Sequence, residues 1–236
     1  MRHLDLFSGI GGFALAARWA GLETVAFCEN DEFCCKVLRK HWPEAAMHTD
    51  IRGLDGNEYR GIELLTGGFP CQPFSEIGEQ QGTEDDRHLW PEMRRVIAQA
   101  RPAWVVAENV PGIIGMALDD VLADLEAEGY AARPLVVPAC GIGANHRRDR
   151  VWIVANTSRQ PLRVCRQPRK DAHSWDTEPG MARVANGIPN GVDRNRALGN
   201  AIVPQVAFEL LRTMATYNAK VTGSPVLSAS PCGLPG

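Results

Sequence analysis

Short apolar runs and amphipathic stretches alternate along the first two thirds of the chain. Residues 3–7 read as a strand. Residues 12–21 then place Phe13, Leu15, Ala16 and Trp19 on one side of a helix. Residues 24–28 read as the next strand, and residues 32–41 as a helix that Pro43 ends. The alternation continues with strands at 62–66 and 104–107 and helices at 89–100 and 118–128, the last closed by Gly129. A strand at 151–155 runs out of a basic cluster. Strands separated by helices of this size predict an α/β fold, with a mostly parallel sheet covered on both faces.

The pattern changes after residue 155. Between 156 and 182 it dissolves into prolines, arginines and polar residues, and a compact element follows, ending in a helix from 205 to about 217. The tail, residues 218–236, has Gly, Ser and Pro but no periodic core, so it is expected to be disordered.

Composition narrows the class. The 236 residues are 44% hydrophobic and 22% charged, which suits one globular domain with a small appendage. No apolar run is long enough to span a membrane, and the N-terminus enters a strand-like segment without a signal peptide. Seven cysteines, irregularly spaced and without a CxxC pair, fit neither a disulfide framework nor a zinc site. The expectation is a reduced, cytoplasmic protein with no metal and no membrane partner. The net charge of −3 conceals an asymmetry: residues 141–200 hold 11 Lys/Arg against 5 Asp/Glu, and the rest hold 14 against 23. A basic segment on an acidic body fits a partner carrying phosphates, although a solvated charged loop explains the charge nearly as well.

Two stretches carry candidate chemistry. DLFSGIGGF (5–13) follows the first strand and opens the first helix. Its glycines allow a tight turn and let backbone N–H groups meet a polar or anionic ligand. The next strand ends in CEND, placing Glu29 about 20 residues on, where nucleotide-binding sheets keep an acid for ribose hydroxyls. HTDI offers Asp50 at a further strand end, near an adenine amino group; both acids would also serve as plain helix caps. Gly9, Gly11 and Gly12 depart from G-x-G-x-x-G, so a mononucleoside fits better than a dinucleotide such as NAD. In GGFPCQPFS (67–75), Cys71 lies at a strand-to-loop transition between Pro70 and Pro73. A thiol there is either buried and inert or a held nucleophile.

Three further pieces complete the set: ENV (108–110) after the apolar AWVVA, NHRRDRVW (145–152), and LGNAIVP (198–204) before the last helix. In this order, with the glycine loop and the PCQ turn, the sequence resembles the DNA (cytosine-5)-methyltransferase family from about residue 4 to 217. The resemblance implies a Rossmann-like S-adenosylmethionine-dependent methyltransferase sheet with helices on both faces and a very small target-recognition segment. Residues 1–155 would be the cofactor-binding and catalytic domain, 156–182 the target-recognition segment, and 183–217 an element completing the catalytic domain. The implied reaction moves a methyl group from S-adenosylmethionine to C5 of a cytosine flipped out of duplex DNA, through a covalent cysteine adduct.

Site residues follow from the same resemblance. Cys71 would be the nucleophile, Glu108 the partner of the cytosine ring nitrogen, and Arg148 and Arg150 contacts to the target nucleotide. Phe7, Ser8, Gly9, Ile10, Gly11, Gly12, Glu29, Asn30, Asp50, Ile51, Pro70, Leu89, Asn200 and Ala201 would hold the cofactor. Gln72, Ser75, Arg87, Arg147, Arg159, Arg163, Arg166 and Arg169 would meet DNA, and residues 75–88 look like the mobile loop that closes over DNA in the family.

Two features depart from the family pattern. His146 stands where a glutamine is usual, two residues before Arg148. Only about 25 residues separate the strand ending near Ala155 from Met181, where relatives insert a longer base-reading lobe. Most arginines there are expected to bind phosphates rather than read base edges. The expected partners are duplex DNA and, in a restriction-modification setting, a cognate endonuclease, with a monomer acting in a prokaryotic or phage-encoded context. Transfer RNA as substrate, and a non-catalytic DNA-binding relic, are the alternative readings.

Overall fold

The structure, a computed structural model, describes residues 1–70, 89–157 and 199–222. In chain order the elements are β1 (Arg2–Leu6), α1 (Gly12–Trp19), β2 (Glu23–Cys28), α2 (Glu32–His41), β3 (Ala46–His48) and β4 (Leu64–Gly67). There follow α3 (Trp90–Ala100), β5 (Trp104–Asn109), α4 (Ile113–Met116), α5 (Leu118–Ala127), β6 (Ala131–Pro138), β7 (Asp149–Asn156) and α6 (Pro204–Thr222). The strands make one sheet in the order β3-β2-β1-β4-β5-β7-β6. The first five are parallel, while β7 runs antiparallel to both β5 and β6.

Residues of period two divide the sheet between two cores. Trp104, Val106, Trp152 and Val154 face a core shared with Phe13 of α1 and Phe208 and Leu211 of α6. Val105, Ala107, Val151 and Ile153 face the other core, with Met93 and Ile97 of α3 and Val121 and Leu125 of α5. Each valine, leucine, isoleucine, phenylalanine and methionine among them contributes about 1.5–3 kcal/mol when fully buried. The centre of the sheet, β1-β4-β5-β7, is therefore anchored on both faces, and the residues at its strand ends take fixed positions.

The helices start where local chemistry allows. The Asp31 carboxylate accepts from Cys34 N at 3.0 Å and caps α2. Gly11, at φ 86°, turns the chain into α1, and a Cβ there would stand 2.8 Å from the Trp42 ring. Only glycine satisfies both conditions.

A polar chain crosses the buried sheet. His3 Nδ1 lies 2.9 Å from Thr24 Oγ1, and its Nε2 lies 2.7 Å from Thr66 Oγ1. Thr66 Oγ1 in turn donates to Asp5 Oδ1 at 2.6 Å. The β1–β2 register shifts between His3 and Leu4. Burial lowers His3 to about 3, so it is neutral at pH 7, and raises Asp5 well above the usual carboxylate range.

Two differences from the sequence reading concern the ends of the fold. Strand β6 was not expected: AARPLVVP has two prolines, and Arg133, Pro134, Leu135 and Val136 are all exposed. An edge strand tolerates proline because its outer N–H groups have no ladder partner. Helix α6 continues past residue 217 to Thr222, so the tail does not begin at Asn218. Asn218 Oδ1 accepts from Trp104 Nε1 at 3.0 Å, tying that turn to β5. Residues 223–236, nearly all of the expected recognition segment and all of residues 183–198 lie outside the described residues.

Candidate active site

Parallel strands deliver their carboxyl ends to one edge of a sheet, and ligands bind in the crevice outside that edge. Here the edge collects Phe7 and Gly9 after β1, Glu29 after β2, Asp50 after β3, Gly68 and Pro70 after β4, and Glu108 at the end of β5. Because β7 is antiparallel, its beginning reaches the same edge and brings Arg148 and Arg150 beside Glu108.

A cavity of about 760 Å³ opens there. Of the expected cofactor residues, Phe7, Gly9, Glu29, Asn30, Asp50, Ile51, Pro70, Leu89, Asn200 and Ala201 line it. Ser8, Ile10, Gly11 and Gly12 do not. Ser8 points into the sheet, its Oγ donating to Asp5 O at 2.7 Å, and Gly12 packs under Ile202. Cys28, Asp31, Cys34, Thr49, Arg52 and Gly68 line the cavity without having been singled out as cofactor residues; all but Cys34 and Gly68 adjoin one that was.

The cavity has two kinds of wall. Both Glu29 oxygens are oriented by backbone, Oε2 accepting from Gly9 N at 2.7 Å and Oε1 from Asp31 N at 2.8 Å. Each oxygen keeps a second lone pair for a ligand hydroxyl. Asp50 does act as a cap, accepting from Arg52 N at 3.0 Å, yet it still borders the cavity. Phe7, Ile51, Pro70 and Leu89 supply apolar surface. Phe7 holds φ 52°, a left-handed conformation costly for a bulky residue and found where surrounding structure enforces it. Cys28 and Cys34 are inert wall, since burial pushes both thiols up to about 12.

Glu108 is 8% exposed, and burial raises its carboxyl from 4.5 to about 7 against the opposing pull of Arg150 and Arg148. Its Oε1 lies 3.0 Å from Arg150 Nε. Arg148 is engaged elsewhere: its Nη2 donates to Gly199 O at 2.9 Å and Ala201 O at 2.6 Å, bracing the stretch that borders the cavity. Arg147 is largely exposed and pairs with Asp149 at 2.8 Å. Cys71, Gln72, Ser75, Arg87, Arg159, Arg163, Arg166 and Arg169 lie outside the described residues. Among the described residues no cluster of three or more His, Cys, Asp or Glu is placed to hold a metal ion, and no helix is long and apolar enough to cross a membrane.

This sheet, with its crevice and its antiparallel β7, defines a Rossmann-like α/β fold of the methyltransferase type. A solved Escherichia coli structure, assigned as a prophage-encoded DNA modification methyltransferase, superposes with TM-score 0.57 at 26% identity over 66% of this chain and 46% of its own. Residues 1–184 match the family described as C-5 cytosine-specific DNA methylase, and the chain belongs to that family. The Type II methyltransferase M.NgoMIV of Neisseria gonorrhoeae is 34% identical over 157 residues, 64% of this chain and 50% of that protein. M.Eco47II of Escherichia coli, another Type II methyltransferase, is 38% identical over 160 residues, 64% of this chain and 38% of its own length. The matched region thus spans half or less of these curated relatives.

Proposed function

We propose that the chain methylates C5 of cytosine in duplex DNA, with S-adenosylmethionine as the methyl donor and Cys71 as the nucleophile. The observation that carries this reading is Glu108, a buried carboxyl held near neutrality as an acid and set against Arg150 at the same sheet edge as the crevice.

The donor fits the cavity by the chemistry of its walls. Glu29 and Asp50 would accept from ribose hydroxyls and the adenine amino group, and Phe7, Ile51, Pro70 and Leu89 would cover the adenine faces. When bound, S-adenosylmethionine supplies an electrophilic methyl group on a sulfonium.

The chain's own residues would do the rest. A stacked cytosine hides C5, so the base must leave the duplex. The Cys71 thiolate adds to C6, and electron density moves toward ring N3 and O2. Protonated Glu108 donates its proton at N3 as that density accumulates. Arg150, already beside Glu108, stabilises the charge at O2. C5 is then nucleophilic enough to take the methyl group. A water molecule takes the C5 proton, the electron pair of that C–H bond expels the cysteine as thiolate, and the N3 proton returns to the Glu108 carboxylate.

The Type II relatives favour a restriction-modification setting, with a cognate endonuclease as partner. The test is transfer of a labelled methyl group from S-adenosylmethionine to duplex DNA and, separately, to transfer RNA, followed by bisulfite sequencing of the DNA. Methylcytosine in DNA at a defined context supports the reading. Label in RNA alone would move the substrate, and a folded chain labelling neither would make it a relic.

A further inference from the structure

We infer that Arg95 is a positioning residue for the methyl donor, its guanidinium holding the turn that sets Asp50 and Ile51 on the cavity wall. The inference rests on the proposed function and deepens it.

Asp50 and Ile51 line the cavity just after β3, a strand of three residues at the edge of the sheet. The ladder between β3 and β2 stops at His48 opposite Cys28. Beyond it the chain bends into a short turn, Ile51–Gly53, where Asp50 caps Arg52 N and its carbonyl accepts from Gly53 N at 3.2 Å. These local bonds shape the turn without fixing where it stands relative to the sheet. That placement comes from α3.

The Met93, Val96 and Ile97 side chains of α3 are fully buried in the core, so the helix is a firm base. From it Arg95 Nη2 donates to Ile51 O at 2.7 Å and to Arg52 O at 3.5 Å, and Nη1 donates to Leu54 O at 2.9 Å. The remaining bonds fix the guanidinium itself, Nε donating to Glu92 Oε2 at 2.8 Å and Nη1 to Gln99 Oε1 at 3.0 Å. Arginine has five N–H donors, and all five are used, three of them on carbonyls of one turn. Gln99 Oε1 also accepts from Gly56 N at 2.9 Å, and a Cβ on Gly56 would stand 2.8 Å from Val96 O. The chain past the turn therefore runs tight against the same helix. Leu89, the residue before α3, lines the cavity as well, so two parts of its wall share one support.

Lysine keeps the charge but concentrates its donors on one nitrogen, which cannot span these carbonyls; methionine keeps only the stem. The experiment is calorimetry of S-adenosylmethionine binding to the full chain without DNA, with melting temperature measured beside it. Arg95→Met and Arg95→Lys are each made in wild type, in Glu29→Ala and in Asp50→Ala. Bonds from a charged donor of this kind are worth a factor of about ten or more, so affinity should fall about tenfold when Arg95 is replaced in wild type or in Glu29→Ala. In Asp50→Ala the same replacement should cost about threefold or less, because one group being positioned is already gone and the remainder comes through Ile51. Equal losses in all three backgrounds would make Arg95 a general support of the fold and overturn the inference, as would wild-type affinity in the folded variants. Arg95→Lys carries the test if Arg95→Met does not fold, and failure of both to fold would overturn the inference too. A wild-type chain that binds no S-adenosylmethionine removes the proposed donor and this inference together. A wild-type chain that binds it, with affinity unmoved by Arg95, removes the inference alone.

Discussion

Arg150 Nε stands 3.0 Å from Glu108 Oε1, with 10% of the glutamate side chain and 20% of the arginine side chain exposed. Burial and the arginine pull the carboxyl in opposite directions, and burial prevails. The pair therefore keeps a proton available near neutrality beside a fixed positive charge, the combination that the proposed addition to cytosine would use.

This sets a pH dependence. Glu108 must be protonated to donate, so its contribution to adduct formation falls as pH rises through about 7, while the Cys71 thiolate fraction rises. The expected single-turnover profile is bell-shaped. Glu108→Gln should lower the rate by about 10²–10⁴-fold and abolish the alkaline limb. If that limb persists in the variant, another group is the acid. Stability follows the same sign: the folded chain holds this proton more tightly, so Glu108's contribution declines as pH rises from 4.5 to about 7.

Glu29→Ala should weaken S-adenosylmethionine binding by about 1–3 kcal/mol, through lost hydroxyl contacts and a Gly9 loop released from its carboxylate. Calorimetry on the two proteins checks this. Unchanged affinity would remove Glu29 from the site.

Arg148→Met should release the carbonyls of Gly199 and Ala201 and loosen the cavity border at Asn200 and Ala201. Charge-assisted bonds of this kind are worth about 1.5–3 kcal/mol, so cofactor affinity should fall about tenfold or more. Unchanged cofactor affinity with weakened DNA binding would return Arg148 to the role of a nucleotide contact.

The limits of what the sequence shows follow from these residues. Strands β4, β5 and β7 are legible because burial on both faces leaves near-continuous apolar runs, and β1 and β2 because Leu4, Leu6, Ala26 and Phe27 keep short apolar segments among polar residues. Strand β6 is not, since exposure and two prolines erase any pattern. The strand-end acids could be found because parallel strands bring their ends to one edge. The tight turn after β1 turns only Phe7 and Gly9 toward the cavity, which adjacency in sequence cannot show. The proton held by Glu108, the carbonyls taken by Arg148 and the bond from Asn109 Nδ2 to Phe69 O all depend on how β4, β5 and β7 align. That information is distributed over the fold.

The buried polar chain predicts acid sensitivity. His3 is neutral when folded, with its value lowered from 6.5 to about 3 by burial. Its contribution to stability is complete above 6.5 and is lost as pH falls toward 3. Asp5, raised by burial, slopes the opposite way above 3.8. The melting temperature of His3→Gln should therefore fall less on acidification below 6.5 than that of wild type. Equal slopes would place the acid response in other groups.

The most direct test of the account is the identity of the residue that becomes bonded to DNA. Fluorine at C5 cannot leave as a cation, so 5-fluorocytosine DNA and S-adenosylmethionine should trap the chain as a complex stable to denaturing electrophoresis. Digestion and peptide mass analysis should place the nucleotide on Cys71, and Cys71→Ala should form no complex. A complex that survives in Cys71→Ala, or a nucleotide carried on any other cysteine, would contradict the mechanism.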